Sequence, residues 1–158
     1  MRTILITLFT VTLLASCDKN RVYDKNEDFD NGLWPTAVKP SFEFEIKENV
    51  PYNIYGNIRN SVSYPFSRLF ITYYLEDSTG NVLNKKLIEH TLFDPKTGKP
   101  EGTSGLGDIY DHRVPMINNY QFPYTGKYRL RLEQFMRTDS LQGILAAGVR
   151  IEKVLNEK

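Results

Sequence analysis

The strongest constraint on the fold is a repeated alternation of apolar and charged residues. In "SFEFEI" at 41–46, two phenylalanines and an isoleucine alternate with polar residues, and "KYRLRLEQF" at 127–135 repeats the pattern. A period of two places apolar side chains on one face of a β-strand and charged ones on the other. Further strand-like segments lie at 52–58, 66–76, 82–93 and 144–154. We therefore expect an all-β fold, a single antiparallel β-sandwich of seven or eight strands covering residues 34–158.

The composition agrees with β structure. The 158 residues include ten Tyr, nine Phe and one Trp, whereas alanine occurs only at positions 15, 37, 146 and 147. Aromatic residues are enriched in strands, and alanine is the best helix former. A chain of this length is sufficient for one domain with its own core.

The first seventeen residues resemble an export signal. Arg2 is followed by an apolar run at 4–14, which is shorter than the roughly 20 residues that a membrane-spanning helix needs. "LASC" at 14–17 resembles the lipobox of bacterial lipoproteins and contains the only cysteine. We therefore expect a cleaved lipoprotein signal peptide at 1–16 and acylation of Cys17, which would anchor the protein in a membrane. The alternative is a secreted protein with a free thiol. Residues 17–33 are predicted to be the acylated cysteine and a short polar tether.

The overall charge gives no indication of a nucleic-acid partner. The chain has 20 basic and 19 acidic residues, and removal of residues 1–16, which contain only Arg2, leaves 19 of each. A neutral chain lacks the basic surface that nucleic acids attract. A single cysteine also excludes an internal disulfide.

One dense polar cluster, "GDIYDHRVP" at 107–115, supplies the candidate site residues Asp108, Tyr110, Asp111, His112 and Arg113. A histidine beside carboxylates can exchange protons near neutral pH. An enzyme would need these groups to converge in a pocket. A turn held by local hydrogen bonds and an arginine ion pair is the commoner explanation. We predict neither a catalytic role nor a metal or cofactor here, because no paired-histidine metal motif is present.

Aromatic residues offer a second candidate surface. Trp34 with Tyr110, Tyr120 and Tyr124 could form a platform for a glycan if the rings were exposed and coplanar. In a β-sandwich, such rings belong to the core more often than to a binding site. A lipid-anchored glycan-binding module is therefore the alternative function.

Several stretches together resemble the gliding-motility lipoprotein family GldH of Bacteroidetes. They are "SFEFEI", "YNIYGNIRNSVSYPFSRLFI", "GLGDIYDH", "GKYRLRLEQFMRTDSLQGI" and "AAGVRIEK", which follow one another between about Trp34 and Lys153, behind the lipobox. The resemblance implies a non-enzymatic lipoprotein of the cell envelope that supports the gliding machinery and the linked type IX secretion system. It also implies an outer-membrane anchor with the domain facing the periplasm, and other envelope proteins as partners.

Overall fold

The computed structural model describes residues 19–105 and 107–154, and within them it confirms the predicted all-β class. Cys17 and the predicted signal peptide lie outside these residues. The strands are β1 (Arg21–Asp28), β2 (Leu33–Pro35), β3 (Ser41–Ile46), β4 (Tyr52–Ser61), β5 (Arg68–Asp77), β6 (Val82–Thr91), β7 (Thr103–Ser104), β8 (Ile109–Tyr120), β9 (Gly126–Gln134), β10 (Ser140–Gln142) and β11 (Ile144–Lys153), with one 3-10 turn at Asp30–Gly32.

The strands form two main sheets and one small ribbon, and every pairing is antiparallel. The five-stranded sheet has the order β1-β11-β4-β8-β7, and the four-stranded sheet has the order β3-β9-β5-β6. The ribbon pairs β2 with β10. Eight of the strands contain six or more residues, which agrees with the predicted sandwich of seven or eight strands.

The core lies between the two sheets and consists of side chains that alternate along their strands, as predicted for 41–46 and 127–135. The four-stranded sheet contributes β3, β5 and β9 side chains, and the five-stranded sheet contributes β4, β8 and β11 side chains. All are at most 7% exposed: Phe42, Phe44, Ile46, Ile54, Ile58, Leu69, Ile71, Tyr73, Leu75, Val114, Met116, Tyr128, Leu130, Leu132, Val149 and Ile151. Burying a large apolar side chain contributes about 1.5–3 kcal/mol, so this inward stripe stabilises the sandwich.

The sandwich has two distinct ends. At the end where β1 begins, which we call the proximal end, Arg21 pairs with Glu152 and Lys153 pairs with Tyr52. Phe122 packs there on Phe44 of the facing sheet. The opposite, distal end contains the end of β4 and the start of β5. Because β4 has ten residues at about 3.3 Å each, the two ends lie about 30 Å apart.

Two strands lie where the sequence predicted other structure. β1 occupies much of the predicted tether at 17–33 and pairs with β11, so the tether prediction is wrong for 21–28. β1 is a sheet-edge strand with polar residues on both faces, which removes the alternating signal. β8 occupies most of the polar cluster at 107–115. The sequence did not show this strand because His112 takes an inward position that an apolar residue usually fills.

Candidate functional site

Strand β8 separates the predicted cluster instead of gathering it. His112 is buried between the sheets, whereas Asp111 and Arg113 lie on the outer face of the five-stranded sheet. Asp108 precedes the strand and is exposed, and Tyr110 is half-buried. Successive strand residues point to opposite faces, so Asp111 and Arg113 share the outer face while the His112 ring points inward, although all three line one shallow depression. Asp108 is not part of that lining, and Asp111 is paired with Arg59, so the structure does not bring together the three groups that the enzymatic alternative required.

On the outer face, Asp111 and Arg113 belong to ion pairs with neighbouring strands. Asp111 Oδ1 accepts a hydrogen bond from Arg59 Nε at 2.8 Å. Arg113 Nη1 lies 3.5 Å from Glu152 Oε1, and its guanidinium lies 5.7 Å from the Tyr55 ring centre. Pairs at this exposure each stabilise a fold by about 0–1 kcal/mol. They fix the surface without leaving either charge free.

Arg150 of β11 is the centre of this face and is only 6% exposed. Its Nη1 donates to Asp24 Oδ2 on β1 at 2.7 Å, and its Nε donates to Glu152. Burial alone would lower the pKa of Arg150, but the hydrogen bonds that it donates to these carboxylates raise the pKa above its ordinary value. The guanidinium is thus a charged group held by Asp24 and Glu152, and it joins β1 to β11.

Gly148 permits the polar groups of β1 to fold over β11. Asn57 Nδ2 on β4 donates to Asp24 Oδ1 at 2.8 Å and to Asn26 Oδ1 at 3.0 Å, directly across Gly148. A Cβ atom at position 148 would lie 1.9 Å from Asn26 Oδ1 and 2.4 Å from the Lys25 carbonyl oxygen. Only glycine fits this close approach.

A shallow depression of about 440 Å³ lies beside this network. Arg59, Asp111 and Arg113 line it together with Asp24 and Asn57. Both carboxylates are paired with arginines, and the amide is hydrogen-bonded to Asp24. This surface can form hydrogen bonds, but its charges are balanced by contacts within the sheet. We use the name polar face for the outer side of the five-stranded sheet that contains this depression and Arg150.

Two histidines meet between the sheets. His90 on β6 and His112 on β8 place Nε2 and Nδ1 3.2 Å apart, with their rings nearly perpendicular. Burial lowers the pKa of both, and the neighbouring His90 also helps to lower the pKa of His112, to about 4. Among residues 19–105 and 107–154, His112 Nε2 has no hydrogen-bond partner, and Gly102 packs closely against it. Two neutral imidazoles therefore join the sheets at this point.

Trp34 lies in the core and not on a ligand platform. Its side chain has no exposed surface, stacks on Phe29 with ring centres 4.9 Å apart, and donates from Nε1 to the Val38 carbonyl at 2.9 Å. Tyr124 is 45% exposed, but Tyr128 stacks beneath it. The tryptophan is therefore not available for the glycan platform, which would have to be built from the tyrosines.

The described residues contain neither a metal-binding cluster nor a membrane-spanning helix. Within the described ranges, no group of three or more His, Cys, Asp or Glu side chains is arranged to hold a metal ion. Over the same residues, no helix has the length and apolar character needed to cross a membrane.

The sequence patterns did not identify the centre of the polar face. Arg150, Asp24 and Asn57 come from three strands, and Asp24 is 126 residues from Arg150. One signal was available, because Arg150 interrupts an otherwise apolar strand in "AAGVRIEK". A charge in such a position is usually paired, but its partner cannot be inferred without the strand order.

The comparison with protein families agrees with this ordered set of strands. The sequence profile of the GldH lipoprotein family matches residues 21–151, from the first residue of β1 to two residues before the end of β11. This chain belongs to the GldH lipoprotein family. As a member of that family, it is a membrane-anchored lipoprotein of the cell envelope.

Two curated relatives are similar over nearly their full length. The gliding motility lipoprotein GldH homolog of Christiangramia forsetii is 33% identical, and the alignment covers 95% of this chain and 94% of that protein. Gliding motility lipoprotein GldH of Flavobacterium johnsoniae is 27% identical, with 94% of each chain covered. Among solved structures, the VP2 subviral particle of infectious bursal disease virus aligns with a TM-score of 0.45 and 15% identity. That alignment covers 97% of this chain and 37% of the VP2 chain.

Proposed function

We propose that this GldH-family lipoprotein supports the gliding machinery and the linked type IX secretion system through contacts with other envelope proteins, without catalysing a reaction. The observation that carries the proposal is family membership across residues 21–151, together with relatives named for gliding motility. The charged candidates Asp111 and Arg113 add support, because both are engaged in ion pairs within the sheet.

Acylation of Cys17 would supply the anchor. Only Asp18, Lys19 and Asn20 separate that residue from β1, so the domain would stand directly at the membrane. Two or more acyl chains hold a protein stably on a bilayer, whereas one chain binds only weakly. We place the anchor in the outer membrane and the domain on its periplasmic side. A stable sandwich at a fixed place in the envelope suits a role in assembling or stabilising a larger machine.

The test is deletion and complementation in the native host. Loss of the gene should abolish spreading on agar and reduce the secretion of type IX substrates, and the wild-type gene should restore both. Cys17→Ser should give a protein that no longer fractionates with membranes and does not complement. Normal spreading and secretion in the deletion strain would refute the proposed function.

The orientation has a separate test, namely protease treatment of intact cells. Protection in intact cells, followed by digestion after the outer membrane is permeabilised, is the result expected of a periplasmic domain. Digestion in intact cells would place the domain on the cell surface and contradict the proposed orientation, while the complementation result would stand independently.

A further inference from the structure

The outer face of the four-stranded sheet has an exposed apolar patch at its distal end. Phe135 is 62% exposed, Leu87 47% and Phe66 45%. Phe70 and Met136 are half-buried between them, and the five residues line one depression of about 490 Å³. We call these five residues the distal patch.

The remainder of that face is charged and paired. Arg129 bridges to Glu43 at 3.0 Å, and Arg131 bridges to Glu76 at 2.9 Å. Such a ladder of opposite charges is typical of a solvated sheet face. The apolar character is therefore confined to the distal end and is not a general property of the sheet.

The distal patch is held in place by the backbone. Phe135 N donates to the Phe70 carbonyl oxygen at 2.8 Å, and Phe70 N donates to Met136 Sδ at 3.5 Å. Large aromatic side chains on a rigid surface lose little conformational entropy on binding and are common anchors in interfaces. Exposed apolar side chains that line one depression can form an interaction site.

The proposed anchor favours an occupant other than the bilayer. Cys17 lies four residues before Arg21, a distance of at most about 14 Å. Arg21 is at the proximal end, whereas the distal patch extends from the middle of β6 to the other end of strands about 30 Å long. With the domain standing upright on an anchor at Cys17, the distal patch would face away from the lipid.

Within the described residues no segment covers the distal patch, and β11 ends at Lys153, at the proximal end. We therefore consider a partner molecule as its occupant.

The charges around the distal patch indicate the chemistry of that molecule. Arg137 lines the depression, and Lys85 lies two residues before Leu87 on the same face of β6. Arg68 is nearby but is neutralised by Glu89 at 2.9 Å. The rim therefore has an excess of positive charge. A second copy that docked face to face would bring like charges together, whereas acidic residues would complement the rim.

We propose that the distal patch docks a different envelope protein, through an apolar side chain flanked by aspartate or glutamate residues. This inference rests on the proposed function, because it identifies the surface through which the lipoprotein would contact the machinery. The apolar side chain would fill the depression between Phe70, Leu87 and Phe135, and the acidic neighbours would pair with Arg137 and Lys85.

The first test uses the full lipoprotein, expressed in cells that lack their own copy. Phe135→Asp and Leu87→Asp should lose complementation of spreading and secretion, while the protein level and the membrane fraction remain normal. Val82→Asp is the matched control, because Val82 is 51% exposed on the same strand but lies at the proximal end. Full activity of both patch variants would overturn the proposal.

The second test identifies the occupant with a photoreactive amino acid at position 135 in intact cells. We expect a crosslink to a segment of another protein in which an apolar residue has acidic neighbours. Its yield should fall about tenfold with Arg137→Glu, and the same probe at position 82 should not form it. A crosslink to lipid, a crosslink to a second copy of this chain, or the absence of any crosslink would overturn the proposal.

The two levels of inference fail differently. If deletion of the gene leaves spreading and secretion intact, the proposed function fails. If the wild-type gene complements the deletion and the patch variants complement equally well, only the distal patch proposal fails.

Discussion

The outer faces of the two sheets show opposite ways of finishing a β-sandwich. On the polar face, Arg150 is almost fully buried and is held by Asp24 and Glu152. On the facing sheet, the distal patch leaves Phe135 and Leu87 largely exposed. The first surface completes its contacts within the described chain. The second leaves apolar groups exposed among the described residues, which is the feature that the docking proposal uses. The comparison separates a surface that stabilises the fold from one that is available for binding.

The largest expected effect comes from removing the central charge of the polar face. Arg150→Ala should lower the free energy of unfolding by about 3–4 kcal/mol, because Asp24 and Glu152 would lose their buried partner and keep only the more exposed Arg21 and Arg113 as counter-charges. Urea denaturation of the mature domain measures this. Arg59→Ala removes an exposed partner of Asp111 and is the control, with an expected loss of about 0–1 kcal/mol. Equal losses in the two variants would show that burial does not distinguish these arginines.

The next effect tests the close approach of β1 to β11. Gly148→Ala should cost about 3 kcal/mol, because its Cβ would overlap Asn26 and the Lys25 carbonyl oxygen. Gly105→Ala is the matched control, since a Cβ there would lie 3.4 Å from the Ile109 carbonyl oxygen, an ordinary van der Waals contact. Thermal unfolding compares them. A stable Gly148→Ala protein would mean that β1 can shift without loss of the polar network.

A pH-dependent effect is expected from the histidines between the two faces. Both folded-state pKa values lie below the unfolded value of 6.5, and that of His112 is about 4. The unfolded chain therefore binds more protons as the pH falls below 6.5, and stability decreases until the pH passes the folded pKa. Between pH 7 and pH 5, His112 should account for a loss of about 2 kcal/mol.

Urea denaturation at these two pH values measures the difference. His112→Phe should reduce it, because one of the only two histidines is then absent. Glu101 near His90 and Asp111 near His112 act in the opposite direction, since their charges raise the histidine pKa values. An unchanged pH dependence in His112→Phe would assign the effect to other groups.

The smallest effect on stability is expected at the distal patch, and it gives the clearest contrast with the polar face. Phe135→Ser should change the free energy of unfolding by no more than about 0.5 kcal/mol, because the ring is 62% exposed. Denaturation of this variant should match that of the wild type. A loss of several kcal/mol would assign Phe135 to the fold and not to a binding surface.

Most of the fold could be predicted from the alternating pattern, but two strands could not. β3 and β9 bury phenylalanines and leucines on one face and expose charged residues on the other, so the period of two is plain. β1 has solvated residues on both faces because it lies at a sheet edge. In β8, His112 occupies a core position and Asp111 and Arg113 flank it, which concealed the strand within a polar cluster.

The candidate sites were harder to predict for a different reason. Trp34 was more readily assigned to the core than to a binding surface, but residue type alone does not decide between the two. The polar face depends on the meeting of β1, β11 and β4, and the distal patch depends on β5, β6 and the segment after β9. Neither set of residues is close in sequence, so no local spacing indicates it.

The pairing of β1 with β11 also determines when the domain can finish folding. Asp24 and Arg150 are separated by 126 residues, so the first strand stays without its neighbour until the last one is available. Closing so large a loop is entropically costly, and contacts between distant residues slow folding. A chain emerging from a translocon N-terminus first would therefore remain open along this edge until β11 has been exported. The strand nearest the proposed lipid anchor would be among the last to be fixed in the sheet.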